Sequence, residues 1–339
     1  MKGVVYTQPG MLDGLKIQSI RRPEPKPNQV LVRVKNSSIN YLDYVPFKKQ
    51  FNKKPRHFIG QRFLSRFIDP SLNQVFGCDF AGVVDGVGAD VKDIQVGDKV
   101  FGITDNFQYG AWSEYVCADE RNVAFTPSNL SFKDCATLPM AAGTAVTAVN
   151  GAKIEMNKRV LIVGITGGVG LFALQYAQSL GANVTGVCYP DGMSFATKYF
   201  FEDLIEAKPH WQKQLKGKFD SIIIINGHRS PSYIRRFLTP NGYYVEVHQG
   251  KNEIATNPFG DMMEVGFRWY QGHFEHLFVR PDWLWKVANL AQRNVLHPEI
   301  DANFSIRYIQ DAIKYAIKNS INGKICLTMD FDGQYNEER

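Results

Sequence analysis

The stretch Arg159-Val-Leu-Ile-Val-Gly-Ile-Thr-Gly-Gly-Val-Gly170 decides the fold. Residues 160–163 are apolar and mostly β-branched, as a strand buried on both faces requires. Gly164, Gly167 and Gly170 then follow at the spacing of a dinucleotide fingerprint. In that motif one glycine makes the turn, the next lets backbone approach a pyrophosphate, and the third lets helix and strand pack closely. The pattern predicts a helix over 171–180, with Leu171, Leu174, Ala177 and Gln178 at helical spacing and Gly181 as its stop. The free N–H groups and partial positive charge of its N-terminus suit phosphate. A glycine triplet alone also marks ordinary turns, so the context matters. Gly181-Ala-Asn-Val-Thr-Gly-Val-Cys188 supplies a second strand and completes a β-α-β unit of about thirty residues.

The chain has 339 residues, enough for two domains with separate cores. Its 44% hydrophobic and 21% charged content describe a globular protein, and no apolar run approaches the ~20 residues that span a bilayer. The opening Met1-Lys-Gly-Val-Val-Tyr lacks the apolar core of a secretory signal, so cytoplasmic residence and no membrane partner are expected. Cys78, Cys117, Cys135, Cys188 and Cys326 form no C-x-x-C pair, which argues against a disulfide framework and a structural zinc knot. A net charge of +6 permits anionic ligands without demanding nucleic acid.

Before the fingerprint, Gln29-Val-Leu-Val-Arg-Val-Lys35 alternates like a half-buried strand behind the stiff Pro23, Pro25, Pro27 lead-in. Short strands with glycine-bearing turns follow in Cys78-Asp-Phe-Ala-Gly-Val-Val-Asp-Gly-Val-Gly88 and Val96-Gly-Asp-Lys-Val-Phe-Gly102, the texture of a barrel-like β domain. From about residue 119 helices are expected over 131–136 and 141–150, and buried strands over 219–226 and 242–247. The fold class is therefore α/β, a doubly wound parallel sheet joined to a β-barrel domain. Ligands in such sheets bind beyond the carboxyl ends of the strands, here the turns at 164–170, 188–191, 226–228 and 247–250. Helices over 283–293 and 306–318 and a strand over 324–329 close the chain.

Several motifs together resemble the medium-chain dehydrogenase/reductase superfamily, in particular its zinc-free quinone oxidoreductase branch. They are Met1-Lys-Gly-Val-Val-Tyr-Thr-Gln-Pro-Gly10, Ser38-Ile-Asn40, Gly77-Cys-Asp-Phe-Ala-Gly-Val-Val84, Val96-Gly-Asp-Lys-Val-Phe-Gly102, Gly110-Ala-Trp-Ser-Glu-Tyr-Val116, Leu138-Pro-Met-Ala-Ala-Gly-Thr-Ala145 and Asn322-Gly-Lys-Ile-Cys-Leu327. The resemblance implies a GroES-like catalytic domain over 1–118, a Rossmann domain over 119–262, and a return segment over 263–339 that completes the first domain. It also implies an active site in the cleft and a homodimer. Zinc members carry Cys and His ligands where this chain reads Ile39-Asn40 and Gly77-Cys78-Asp79; one Cys replaces a His and its partner thiolate is missing, so no metal is expected. His273 and His276, the one close histidine pair, read as a surface or helix-packing feature.

Hydride transfer without metal requires the nicotinamide to be placed against the acceptor and the developing oxyanion to be stabilised. Electron-poor acceptors need the least help, which points to quinones and α,β-unsaturated carbonyls, small electrophiles both. The resemblance sets Asn40 and Thr144 beside the nicotinamide, with Asn40 a hydrogen-bond donor; Tyr44 or Tyr109 could supply a proton or a stacking face, or simply pack. Asp43 reads either as chemistry or as a turn residue or cap. Gly164, Thr166, Gly167, Gly168, Val169 and Gly170 are expected along the pyrophosphate. Asn226, Gly227, Val247, His248 and Gln249 at later strand tips, and Lys324 in the closing motif, complete the expected contacts. The second strand ends at Cys188 and Tyr189 without the acid that accepts NAD ribose hydroxyls, and Lys198 with Tyr199 could meet a 2′-phosphate. The expected cofactor is accordingly NADPH rather than NADH, although Asp191 argues the other way.

One segment departs from the resemblance. Over 46–68, seven Lys and Arg residues alternate with phenylalanines with no acid before Asp69. It reads as a lid over the substrate cleft, as a site for an anionic acceptor such as an acyl-CoA, or as a site for single-stranded nucleic acid, since cations and stacking aromatics serve that role. An alcohol dehydrogenase, an enoyl-thioester reductase, and a catalytically silent NADPH sensor or RNA-binding protein are the rival functions.

Overall fold

The computed structural model describes residues 1–8, 11–48, 74–105, 110–199, 201–225, 231–247, 263–279 and 283–333. In the first part of the chain, β1 (Lys2–Tyr6), β2 (Leu15–Ser19) and β4 (Gln74–Val75) form an antiparallel sheet around β1. A seven-stranded sheet is built on β3 (Gln29–Ile39), β5 (Asp79–Val87), β6 (Lys99–Ile103), β7 (Tyr115–Asp119) and β8 (Val123–Phe125). The strand predicted for 29–35 is present, but its alternation holds only in the second half: Val30, Val32 and Val34 are buried and Arg33 is exposed, whereas Gln29 and Leu31 are buried as well. The strand runs on to Ile39 because Asn36, Ser37 and Ser38 find buried partners, among them Ser37 Oγ to the Asp79 carbonyl at 2.6 Å. Asn40 therefore emerges at the strand end and begins α1 (Tyr41–Tyr44).

Next comes α2 (Pro139–Gly151), whose first turn opens on Pro139, a position where a missing N–H does no harm. Nearly every α2 residue is buried, as expected of a helix apolar on all sides. Its small residues allow this: the Cβ that Gly143 lacks would lie 2.4 Å from the Trp283 ring. Around α2 one continuous core joins Phe101, Ile103 and Ala124 of the first sheet to Val160, Ile162 and Ile223 of the second.

The second sheet has the order β11 (Asp203–Glu206), β10 (Asn183–Cys188), β9 (Arg159–Val163), β12 (Phe219–Ile224), β13 (Leu238–Val247), β14 (Met263–Tyr270), β15 (His273–Val279). The first five are parallel, and β14 and β15 add an antiparallel hairpin to β13. The fingerprint helix, α3 (Gly168–Ser179), lies between β9 and β10, so the predicted β-α-β unit is present. It starts earlier than residue 171 because Gly167 is extended and already accepts from the Leu171 N–H.

The boundary expected at 262/263 does not coincide with a change of sheet, since the hairpin keeps the chain in the second sheet to Val279. A hairpin on a parallel edge leaves no signature in hydrophobic period alone. After α4 (Trp283–Gln292), β16 (Ile300–Ser305), α5 (Ile309–Lys318) and β17 (Lys324–Thr328) return to the first sheet. There β17 pairs antiparallel with β3, with Ile325 opposite Ile39. His273 and His276 stand on strand β15 rather than a helix, and three residues apart they face opposite sides.

Gly77 fixes the entry to β5. Its φ is +83°, and an added Cβ would lie 2.1 Å from the buried Trp112 ring. Gly77→Ala is expected to lower unfolding free energy by about 2–4 kcal/mol, combining left-handed strain with overpacking. Urea denaturation followed by tryptophan fluorescence measures this, and an unchanged midpoint would refute the packing described.

Candidate active site

A cavity of about 350 Å³ opens where the two sheets meet. One wall is the fingerprint turn, Gly164 and residues 166–169, with Cys188 and Tyr189 at the next strand tip. The other is the end of β3 and α1, with Asn40, Tyr41, Tyr44 and Lys48, and the segment from Ala316 to Ile325 closes it.

The three fingerprint glycines have separate tasks. Gly164 turns the chain at φ +93°. Gly170 is a packing glycine, because its Cβ would lie 1.9 Å from the Gly164 carbonyl oxygen. Around the position a Cβ of Gly167 would take there is no atom within 4 Å, so backbone there faces open space that a ligand can enter. The N–H groups of the first turn of α3 have no partner within the helix. This cradle fits a pyrophosphate. It is also tied to the first sheet: the Gly323 N–H donates to the Thr166 carbonyl at 2.7 Å, and Gly168 lies against the Lys324 side chain.

Lys324 leads from the cradle into a buried polar network. Its ammonium donates to Asn40 Oδ1 at 2.5 Å and to the Ile39 carbonyl at 3.2 Å, and lies 3.8 Å from Asp79 Oδ2. Asn40 Nδ2 donates to Asp79 Oδ2 at 2.8 Å and to Cys78 Sγ at 3.5 Å. Both amide hydrogens are thus used within the protein, and Asn40 serves to orient Lys324 and Asp79 rather than to present a free donor. Asp79 also accepts from Ser38 Oγ at 2.8 Å and from the Met140 N–H at 3.1 Å.

Asp43 is the cap of the alternative reading, accepting from the Asn40 N–H at 2.7 Å. Burial, reinforced by the Asp79 charge, pushes its carboxyl up to about 7, with the Asn40 N–H and Lys324 opposing. Burial also raises Asp79, against Lys324, Asn40, Ser38 and Met140. Asp79 has more donors around it and the ammonium within 3.8 Å, so of the two it is the better stabilised as a carboxylate, and the protonated form is favoured more at Asp43. Cys78 is held well above the usual thiol range by burial and then by the two carboxylates.

Of the residues expected at the site, Asn40, Tyr44, Gly164, Thr166, Gly167, Gly168, Val169, Cys188, Tyr189 and Lys324 line the cavity. Thr144 is buried one turn from the lining residue Ala141, and Val247 is buried near the end of β13; neither lines it. Lys198 and Tyr199 are also set apart. The Tyr199 hydroxyl donates to Glu299 Oε1 at 3.2 Å and its ring stacks on His297, while the Lys198 ammonium lies 4.9 Å from the Phe195 ring. Asp191 accepts from Ser320 Oγ at 3.1 Å, at the rim. Tyr109, Asn226, Gly227, His248 and Gln249 lie outside the described residues, as does the segment 46–68 beyond Lys48. The structure adds Tyr41, Lys48, Asp79 and Gly323; the helical spacing of Tyr41, Tyr44 and Lys48 was the signal available for two of them.

Gly167→Ala is expected to leave the urea midpoint unchanged while weakening dinucleotide binding about 10- to 100-fold in calorimetry, which is about 1.4–2.8 kcal/mol. Gly170→Ala is expected to lose at least about 3 kcal/mol of stability through overpacking. The reverse ranking would contradict the assigned roles.

Asp43 also predicts a pH dependence. Its folded pKa lies above the ordinary 3.8, so folding retains the proton and stability falls as pH rises from about 4 to about 7. Asp43→Asn should remove this slope and stabilise the protein above pH 7. Denaturation curves across that window test it, and parallel profiles for the two proteins would exclude it.

A model of the alcohol dehydrogenase GroES-like domain matches residues 26–128. The chain is 30% identical over 294 residues to 2-methylene-furan-3-one reductase of Solanum lycopersicum, an alignment covering 77% of this chain and 72% of that protein. It is 27% identical over 326 residues to the mitochondrial NAD(P)H oxidoreductase RTN4IP1 of Bos taurus, covering 89% and 82%. Among solved structures, the quinone oxidoreductase from Coxiella burnetii superposes with a TM-score of 0.78 at 25% identity, covering 97% of this chain and 99% of that one. With this fold, a nucleotide cradle and these relatives, the chain belongs to the quinone oxidoreductase branch of the medium-chain dehydrogenase/reductase superfamily and is an oxidoreductase that uses a nicotinamide cofactor.

Proposed function

We propose that this enzyme uses NADPH to reduce a small quinone or α,β-unsaturated carbonyl without metal assistance. The observation that carries this reading is the shared cavity, in which the fingerprint turn and the Tyr41–Tyr44 face line one space with the Asn40–Lys324 pair between them in the network. Thr166, Gly167, Gly168 and Val169 would hold the pyrophosphate, with Lys324 beside it. Cys188 and Tyr189 would flank the adenosine ribose, where a neutral tip accommodates a 2′-phosphate. The bound cofactor supplies hydride.

The protein's part is to position and to exclude water. Lys324 carries a buried positive charge next to the cradle, and Asn40 and Asp79 keep its direction fixed. Two aromatic rings offer a flat acceptor a stacking face. Metal independence is supported by the donor set: a thiol of raised pKa and two carboxylates turned toward internal partners, one of them paired with Lys324. Zinc catalysis prefers three histidine, cysteine or carboxylate ligands facing one point, and among the described residues no three such groups converge. The same reading takes the enzyme as a cytoplasmic homodimer.

Purified protein should consume NADPH with quinones and enones, at least about tenfold more efficiently than NADH, a difference of about 1.4 kcal/mol. Chelator should leave the rate unchanged. No turnover across a broad acceptor panel with either cofactor, or loss of activity on chelation with recovery on adding zinc, would sink the reading.

A further inference from the structure

Tyr41 and Tyr44 stand three residues apart on α1, and Lys48 follows after one 3-10 turn, Val45–Phe47, which brings its ammonium back over both rings, so the three share a face. That face lines the cavity. The two rings meet edge to face at 5.3 Å, and the Lys48 ammonium lies 4.4 Å from the Tyr41 centroid and 4.9 Å from the Tyr44 centroid. The π faces favour the charged form without consuming its N–H donors as a carboxylate would. Among the described residues that line the cavity the cations are Lys48 and Lys324. Lys324 is engaged by Asn40, the Ile39 carbonyl and Asp79, whereas Lys48 has no carboxylate within ion-pair distance among the described residues.

We propose that Lys48 is a catalytic residue whose ammonium holds, and then protonates, the oxyanion formed on a quinone or enone carbonyl seated against Tyr41 and Tyr44. The proposal rests on the reductase reading above. As hydride brings an electron pair and a hydrogen nucleus to the acceptor carbon, the π pair moves onto the carbonyl oxygen. A Lys48 N–H bond breaks as the O–H bond forms, giving an enol, which in the quinone case becomes the hydroquinone when the carbon that took the hydride loses a proton to solvent and the second carbonyl oxygen gains one. The neutral amine regains its proton from solvent.

The alternative donor, Tyr44, is less suited: burial, then Tyr41 and Asp43, raise its hydroxyl well above the ordinary tyrosine range. Burial moves Lys48 the other way, toward easier proton release. Proton donation is most effective when the donor's pKa approaches the working pH.

The test uses 4-nitrophenol, a planar phenol whose absorbance separates its neutral and anionic forms, added to the purified protein without cofactor. Wild type should lower its apparent pKa by at least about one unit on binding, as a cation in contact does. Lys48→Met should abolish the shift, and Lys48→Arg should preserve it. In turnover with a quinone, Lys48→Met should lower kcat about 100-fold. Its dinucleotide affinity and urea midpoint should stay at wild-type values. Lys48→Arg should fall nearly as far, because guanidinium keeps its proton. The high-pH decline in kcat should vanish in Lys48→Met.

A phenol shift retained in Lys48→Met, absent from wild type, or a full wild-type kcat in that variant overturns the proposal. A Lys48-dependent shift in a protein that turns over no acceptor supports the anion site and removes the reductase reading instead.

Discussion

The site depends on the return of the last strand to β3. By pairing with Ile39 through Ile325, β17 places Gly323 and Lys324 at the joint between the two sheets. Gly323 can occupy this place because its φ is +97° and its missing Cβ would fall 2.2 Å from the Glu299 carbonyl oxygen. Its N–H donates to Thr166, so the tip of the cradle is bonded to a strand belonging to the other sheet. A relative motion of the sheets that broke this bond would also move Lys324 relative to the cradle. The fingerprint turn and the β3 end of the cavity are thus linked through two adjacent residues.

The same joint determines the charge balance. Asp43, Asp79 and Lys324 are all at most 5% exposed, and burying a charge without a partner costs several kcal/mol. Two carboxylates and one ammonium would leave a net negative charge if all were ionised. Retaining one proton on Asp43 brings the group close to neutrality, and the hydrogen bonds favour that assignment: Asp79 has donors from Asn40, Ser38 and Met140, and Asp43 has the Asn40 N–H. Asn40 is the common member, with its backbone on Asp43, its amide nitrogen on Asp79 and its oxygen on Lys324. An asparagine suits this position because it both donates and accepts without adding charge. The network leaves Lys324 electrostatically compensated, in contrast to Lys48, which among the described residues lies over the neutral rings of Tyr41 and Tyr44.

Elements dominated by local pattern were legible in the sequence. The fingerprint turn, the strands on either side of it, the α3 helix and the all-round apolar α2 were found near their predicted bounds, because their signals are period, glycine spacing and burial. The short edge strand β11 and the hairpin β14–β15 were not. Asp203 and Glu206 end the former, and the latter is held by pairing with β13 rather than by a pattern of its own. Side chains near a motif were harder to assign than the motif itself. Lys198 and Tyr199 follow the second strand as phosphate-binding residues could, yet Phe195 and Glu299, the latter a hundred residues away, determine where they point.

The polar network illustrates the same division. Lys324 and Asn40 were each placed at the site through the resemblance, but nothing within either segment says that the two side chains bond. Their contact spans 284 residues and follows from the β3–β17 register. Lys48 is the opposite case, since its ring partners lie within seven residues of it, brought together by α1 and the 3-10 turn Val45–Phe47. Read as the first members of a basic, aromatic run, Phe47 and Lys48 suggested a separate segment; in the fold, Phe47 is fully buried against Tyr6 and Phe76 while Lys48 faces the cavity. The buried phenylalanine anchors the turn and thereby fixes which way the next residue projects. Composition over a window averages these two roles away, and only the helical phase set by Tyr41 and Tyr44 separates the packing residue from the one available for chemistry.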